Sequence, residues 1–473
     1  MEEQKRERHT RRHPVRAFFR GMYTEVAFSG ESLRINGRGL LFGLVVGLLV
    51  GVWGGLFARL LGAANHLREG TGWAMFLLPL AGLLVVWMYR RGGIKTAGGT
   101  DLIIQAARGE QPVSRLLAPV IFAATLLTHG FGGSAGREGA ALQLGGSLAE
   151  LVRKGGKLGA EFQDLAIMCG MSAGFSAVFG SQITAALFAL EISCVGILPL
   201  GGLFPCVVSS LAAGTVARAM GVRAMRFYLS ASTPDVLFYG QVLVLGIACG
   251  LLSILVCYTF SGVRAGLARL FPNPYLRVVV GSAGVMVLTL ILGTKTYLGT
   301  GEALIAQAID QGRAAPQDCF LKLLLTALTL GAGLKGGEIV PCFAIGASFG
   351  CVVGPLLGLP APYAAAVGMV ALFCGVTNCP LTALMLGFEV FFFCNPGAFS
   401  WRWPPAFWSL GTVDSTPSKN LPFPRPPALR DWPTRRAGSA PVLCEERAPG
   451  PAGAAHAGLR LGSEPTDENL IFC

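Results

Sequence analysis

Long apolar stretches nearly free of charge recur along this chain, and they fix its solvent before anything else about it. A bilayer core needs about 20 apolar residues per helix, and candidate runs lie at Leu40–Leu61, Trp73–Met88, Val236–Cys257, Val278–Leu292 and Ala364–Phe373. Only 14% of the 473 residues are charged and 52% are apolar, whereas soluble domains carry roughly 25% charged residues. The first run starts too late and runs too long for a secretory signal. A multi-pass protein of the cell membrane with about ten or more embedded segments is expected, its immediate partner the lipid bilayer.

Residues 1–38 carry Lys5, Arg6, Arg8, Arg11, Arg12, Arg16 and Arg20 ahead of the first run. The positive-inside rule reads such a segment as a cytoplasmic N-terminus. The net charge of +12 is concentrated there, in short loops and in residues 394–473, so it reports topology and not a nucleic-acid surface. The 13 cysteines are scattered without CxxC pairs and there are 5 histidines, a pattern that supports no disulfide framework, metal site or cofactor.

The chain also repeats itself. Gly136-Arg137-Glu138-Gly139, opening an apolar helix, has a counterpart in Gly336-Gly337-Glu338-Ile339-Val340-Pro341. Thr184 leading to Glu191 is matched, at the same spacing, by Thr382 leading to Glu389. Two linked matches in the same order predict two related halves, about 39–220 and 236–393, within a transport domain over 39–393. Transporters built from inverted repeats place their site where interrupted helices of the two halves meet. Clustered glycines, with Gly99, Gly136, Gly336 and Gly337 at the breaks, predict irregular backbone leading into helices, which at membrane depth survives only inside protein or beside a hydrated cavity. Other glycines, such as Gly47, Gly51, Gly54 and Gly55, suit close helix packing.

Carboxylates at membrane depth are costly, so Glu138 and Glu338 are functional candidates. A helix N-terminus presents free N–H groups and a partial positive charge, which attracts an anion without gripping it as a full cation would. Glu138 at such a terminus is a tethered anion: ionised, it competes for a halide's seat, and protonated, it can leave. Gly99-Thr100-Asp101-Leu102-Ile103 marks a further terminus, with the Thr100 hydroxyl as an anion ligand and Asp101 as a cap of its own helix.

These residues resemble the CLC chloride channels and anion/proton antiporters. Gly136-Arg137-Glu138-Gly139 is similar to that family's GREGP-type motif with Ala140 in place of proline. Gly336 to Pro341 is similar to its GGxFxP-type motif, and Gly99 to Ile103 sits where its GSGIP motif belongs. The resemblance implies an all-α membrane fold of two inverted repeats and a homodimer with one pore per subunit. It also implies transport of chloride, or of fluoride in exchange for protons, with no enzymatic reaction. Glu138 would be the gating glutamate and Glu338 a second proton-linked group. Thr100, Arg137, Gly139, Ile339 and Val340 would surround the anion, chiefly through backbone N–H groups.

Some positions depart from the family pattern. Ile192 stands where chloride antiporters carry an internal proton-transfer glutamate, which leaves Glu191 a structural role. Together with Glu338, that resembles the fluoride/proton branch, yet Val340 occupies a place where that branch often has threonine. Chloride or fluoride, and channel or antiporter, stay open. The family's last helix supplies a tyrosine to the anion, whereas here the apolar pattern stops near Phe393 and residues 394–473 read as a disordered or aberrant Pro/Arg-rich tail.

Two other classes compete. An organic-anion transporter would call for an arginine or lysine at mid-membrane, and Arg137 is the candidate. An intramembrane enzyme would need a partner for Glu138 or Glu338, and His129 is separated from Glu138 by several glycines.

Overall fold

The computed structural model describes residues 30–94, 99–193, 199–229 and 236–393. The expected tail over 394–473 and most of the basic segment lie outside them. The first half comprises α1 (Gly30–Gly70), α2 (Leu78–Arg91), α3 (Asp101–Ala107), α4 (Leu117–Gly130), α5 (Glu138–Gly155), α6 (Gln163–Phe179), α7 (Gln182–Ser193) and α8 (Leu203–Ala219). The second comprises α9 (Val236–Leu270), α10 (Pro274–Leu292), α11 (Glu302–Asp310), α12 (Asp318–Gly331), α13 (Ile339–Leu356), α14 (Ala361–Thr377) and α15 (Pro380–Val390). Among the described residues the fold is helical except for β1 (Phe227–Leu229) and β2 (Phe391–Phe393), which pair in parallel and join the ends of the halves.

Among the described residues seven helices are long and apolar enough to cross a bilayer, and others, such as Leu117–Gly130 and Ala361–Thr377, are apolar but shorter. Leu41, Leu44, Leu48 and Val52 on α1, and Leu251, Leu255 and Tyr258 on α9, remain exposed. In water such surface would be a liability; in lipid it is the solvated face. Helix ends follow local chemistry. The Asn273 side chain accepts the Tyr275 N–H at 3.0 Å to start α10, with Pro274 in the first turn, and left-handed Gly293 ends it.

Glycine sets how closely the helices cross. Gly43, Gly47 and Gly51 of α1 lie on the backbone of α8 at Pro205, Ser209 and Ala213; a Cβ at Gly51 would come 2.9 Å from the Ala213 Cα. The same device recurs once per half. Gly145 of α5 meets Gly170 and Gly174 of α6, and Gly346 of α13 meets Gly368 of α14. Gly145→Ala should therefore force its methyl into the Gly170 carbonyl, at an overpacking cost of about 1–3 kcal/mol. The fraction of monodisperse protein after detergent extraction is expected to fall, while Gly62→Ala, which meets nothing within 4 Å, leaves it unchanged.

The two halves are related by reciprocal bonds, the signature of a local two-fold axis. Gly136 and Gly337 form an antiparallel bridge, N–H to carbonyl at 2.7 and 2.8 Å in the two directions. Thr329 Oγ1 accepts from the Ser134 N–H at 3.1 Å, and Thr128 Oγ1 from the Lys335 N–H at 3.2 Å. Glu389 accepts from the Ile183 and Thr184 N–H groups at 3.0 and 2.9 Å; Glu191 accepts from those of Leu381 and Thr382 at 3.1 and 2.8 Å. Each half thus caps the other's α7 or α15 with its own glutamate. The Thr-to-Glu match in the sequence is this cross-capping, and it accounts for Glu191 as a structural residue.

The bridge also corrects the register of the repeat. Gly136 faces Gly337, one residue out from the sequence match with Gly336. Glu138 is consequently the first residue of α5, whereas Glu338 is the N-cap of α13 and Ile339 its first residue. The two glutamates do not occupy symmetric places. Glycine-rich loops can be matched at either register, and only the backbone pairing distinguishes them.

Candidate functional site

The loops ahead of α5 and α13 meet at the centre of the fold, where chain reversals at Gly132 (φ 91°) and Gly333 (φ 106°) require left-handed backbone. Beyond the reversals, the glycine bridge holds the loops side by side and aims the two helix N-termini at one region. A Cβ at Gly139 would lie 2.6 Å from Thr100 Oγ1 and 3.1 Å from the Gly337 Cα; one at Gly336 would overlap Ala135. The absence of side chains at these positions lets three chain segments converge.

Glu138 sits in this convergence, fully buried. One carboxylate oxygen accepts the Arg137 N–H at 2.7 Å, and the other accepts the Val340 N–H of the opposite half at 3.1 Å. The acidic group of α5 therefore occupies the first-turn amide of α13, a place where an anion would be held. A Cβ at Gly337 would lie 2.5 Å from the Glu138 carboxyl carbon, so only glycine leaves that seat open.

One residue on from Glu138, at Gly139, opens a cavity of about 20 Å³, on a measure where one water needs roughly 10–15 Å³. Thr100, Gly139, Glu338 and Ile339 line one side, and Cys342, Phe373 and Thr377 the other. Thr100 is the N-cap of α3 but makes no side-chain capping bond, and Asp101 is the first helical residue and not the cap expected from the sequence. Glu338 likewise makes no capping bond; its carboxylate accepts from Arg264 Nη2 of α9 at 3.0 Å, and the residue is part of the cavity wall. Thr100, Gly139, Ile339 and Glu338 are thus brought together, and Val340 meets Glu138 directly. Arg137 contributes its N–H, because its guanidinium turns to Glu302 at 2.9 Å.

Two basic residues escaped the sequence reading, which singled out Arg137 alone. Arg264 lies within the long apolar helix α9 and pairs with Glu338. Lys322 of α12 is fully buried and donates to Ser134, Tyr297 and Gly299. Lys322 is the one cation of the otherwise largely apolar α12, which was the available signal; Arg264 shares the end of α9 with Arg269. His129 is buried too, its ring nitrogens 2.9 Å from the Thr125 and Ala135 carbonyl oxygens. Those contacts tie it to the loop and not to Glu138 as an acid/base partner.

Comparison with known proteins agrees with this fold. Residues 81–393 match the family model described as voltage gated chloride channel. A chloride/fluoride channel protein of Pseudomonas syringae pv. tomato is 35% identical over 344 residues, covering 71% of this chain and 76% of the relative. The crystal structure of a CLC-type fluoride/proton antiporter superposes with a TM-score of 0.74 at 30% identity, over 80% of this chain and 94% of that one. A slow cyanobacterial Cl⁻/H⁺ antiporter gives 0.66 at 22% identity, over 76% and 90%, a likeness of fold.

Proposed function

Since this chain belongs to the voltage-gated chloride channel family, we propose that it carries chloride across the membrane through the cavity beside Glu138, with that glutamate as the gate. The observation that carries this reading is the carboxylate seated on the Val340 N–H of the other half. An anion entering the path must displace an anion already tethered there. Protonation removes the side chain's negative charge, weakens its hold on the N–H groups and frees the seat. Thr100 offers a hydroxyl, and Gly139, Ile339 and Val340 lie at the first turns whose N–H groups replace water around the ion. Partial charges and one hydroxyl bind weakly enough for release.

The size of the cavity argues against an organic anion, since about 20 Å³ is room for one water or a small ion. The cations near the path are engaged: Arg264 with Glu338, Arg137 with Glu302 and Lys322 with neutral oxygens. On the same reading the chain works as a homodimer with one pore in each subunit and with its N-terminus in the cytoplasm.

A second reading, fluoride exchanged for protons, is favoured by Glu338 at the cavity wall. It is also favoured by the likeness to a chloride/fluoride channel protein and to a fluoride/proton antiporter. Liposomes loaded with chloride or fluoride and monitored for internal pH distinguish the readings. Halide efflux above that of empty vesicles is expected, and proton uptake driven by fluoride but not chloride would select the second. Absence of efflux for both ions would overturn both.

A further inference from the structure

Lys322 has three N–H groups and meets three oxygens: Ser134 Oγ at 3.0 Å, the Tyr297 carbonyl at 3.1 Å and the Gly299 carbonyl at 2.7 Å. All three are neutral, so the ammonium is satisfied but not neutralised. The neighbouring carboxylate on its own helix, Asp318, is occupied elsewhere, accepting from the Tyr297 hydroxyl at 2.7 Å and the Ala315 N–H at 2.7 Å. A full charge enclosed at membrane depth is expensive to keep. Hydrogen bonds alone could be supplied by a neutral amide.

The oxygens belong to the structure that carries Glu138. Ser134 lies on the loop just ahead of it. Gly299 is stitched to that loop in both directions, its N–H to the Gly133 carbonyl at 3.0 Å and its carbonyl accepting from the Ala135 N–H at 3.2 Å. The titratable groups that bear on Lys322 from the elements around it are Arg68 from α1, His129 from α4 and Glu138 from α5. Arg68 is paired with Glu69 at 3.2 Å, and His129 is held between two carbonyls. Glu138 is the carboxylate among them, and it opens the helix that follows the loop held by Lys322.

We propose that Lys322 is the fixed counter-charge of the anion path. It is a positioning residue that anchors the loop ahead of Glu138 and favours a negative occupant there, whether the glutamate's own carboxylate or the halide that displaces it. This rests on the gating role of Glu138.

The test uses full-length protein in liposomes, with chloride and fluoride flux followed against pH and halide concentration for Lys322→Gln, Lys322→Met and Lys322→Arg. Glutamine keeps donors without charge, methionine keeps neither, and arginine keeps the charge. Loss of a neighbouring opposite charge moves a carboxylate's titration by about 1–3 units. The pH of half-maximal flux should therefore rise by about one unit or more in the glutamine and methionine variants and stay near wild type in the arginine variant. The halide concentration for half-maximal flux should rise about tenfold in the two neutral variants.

A mere tether would give a wild-type midpoint in Lys322→Gln and reduced flux at an unmoved midpoint in Lys322→Met, and either result overturns the proposal. Should the methionine variant fail to fold, the glutamine and arginine variants decide. Glu138→Gln is measured alongside. If it keeps wild-type pH dependence, the gating role falls. If it loses that dependence while the lysine variants keep their midpoints, only the counter-charge falls.

Discussion

Glu138→Gln should still pass halide but should no longer move protons with it, and its flux should lose its dependence on pH. The substitution preserves shape while changing two things. Glutamine carries no proton that can be taken up and released, and its amide nitrogen is a donor where the carboxylate presents two acceptors. The Arg137 and Val340 N–H groups meet two different carboxylate oxygens, at 2.7 and 3.1 Å, and the amide replaces one of those acceptors with a donor. Hydrogen bonds to a charged group contribute about 1.5–3 kcal/mol each, so losing one weakens the gate's hold on its seat about tenfold or more. An anion then competes more easily, and halide efflux should equal or exceed that of wild type. Proton uptake recorded inside the same vesicles should drop by at least about tenfold. Uptake at the wild-type ratio to halide would remove Glu138 from the gating role.

The legible part of this fold and site was whatever repeats or costs energy locally. Apolar runs announced the membrane, and the paired motifs announced two halves. The glycines around Glu138 and Glu338 announced irregular backbone, and the motif residues Thr100, Gly139 and Ile339 do line one cavity. Legibility failed where a partner lay in the other half. The repeat was matched one residue out because nothing local separates Gly336 from Gly337, whereas the bridge to Gly136 does. Glu191 and Glu389 showed a common spacing but not that each caps the other's helix, since that depends on how α7 and α15 cross. Arg137 looked like the mid-membrane cation because it sits in the motif, but the direction of its side chain is set by Glu302 on α11. Lys322 and Arg264 carry no motif, and their meaning comes from oxygens far away in the chain.

The second large effect is expected at Glu338, and it separates the two ions. As N-cap of α13 this residue would ordinarily bond the first-turn N–H groups, but its side chain does not. The residue lines the cavity, and its carboxylate accepts from Arg264 at 3.0 Å. Both partners are partly exposed, at 22% and 39% of their side chains, so the pair contributes little to folding, on the order of 0–1 kcal/mol. Glu338→Ala should accordingly yield folded protein. What it removes is a second carboxylate at the cavity wall, and it leaves the Arg264 guanidinium without that partner.

If protons reach Glu138 by way of Glu338, fluoride-driven proton uptake should fall about tenfold or more, and Glu338→Gln should fall equally because it too carries no exchangeable proton. Chloride efflux should hold or rise, since the local field has become more positive. Arg264→Met supplies the contrast. It breaks the same pair but keeps the carboxylate, so proton uptake should survive in that variant. Equal fluoride-driven proton uptake in wild type, Glu338→Ala and Glu338→Gln would take Glu338 out of the proton path. The proton route would then have to reach Glu138 without Glu338.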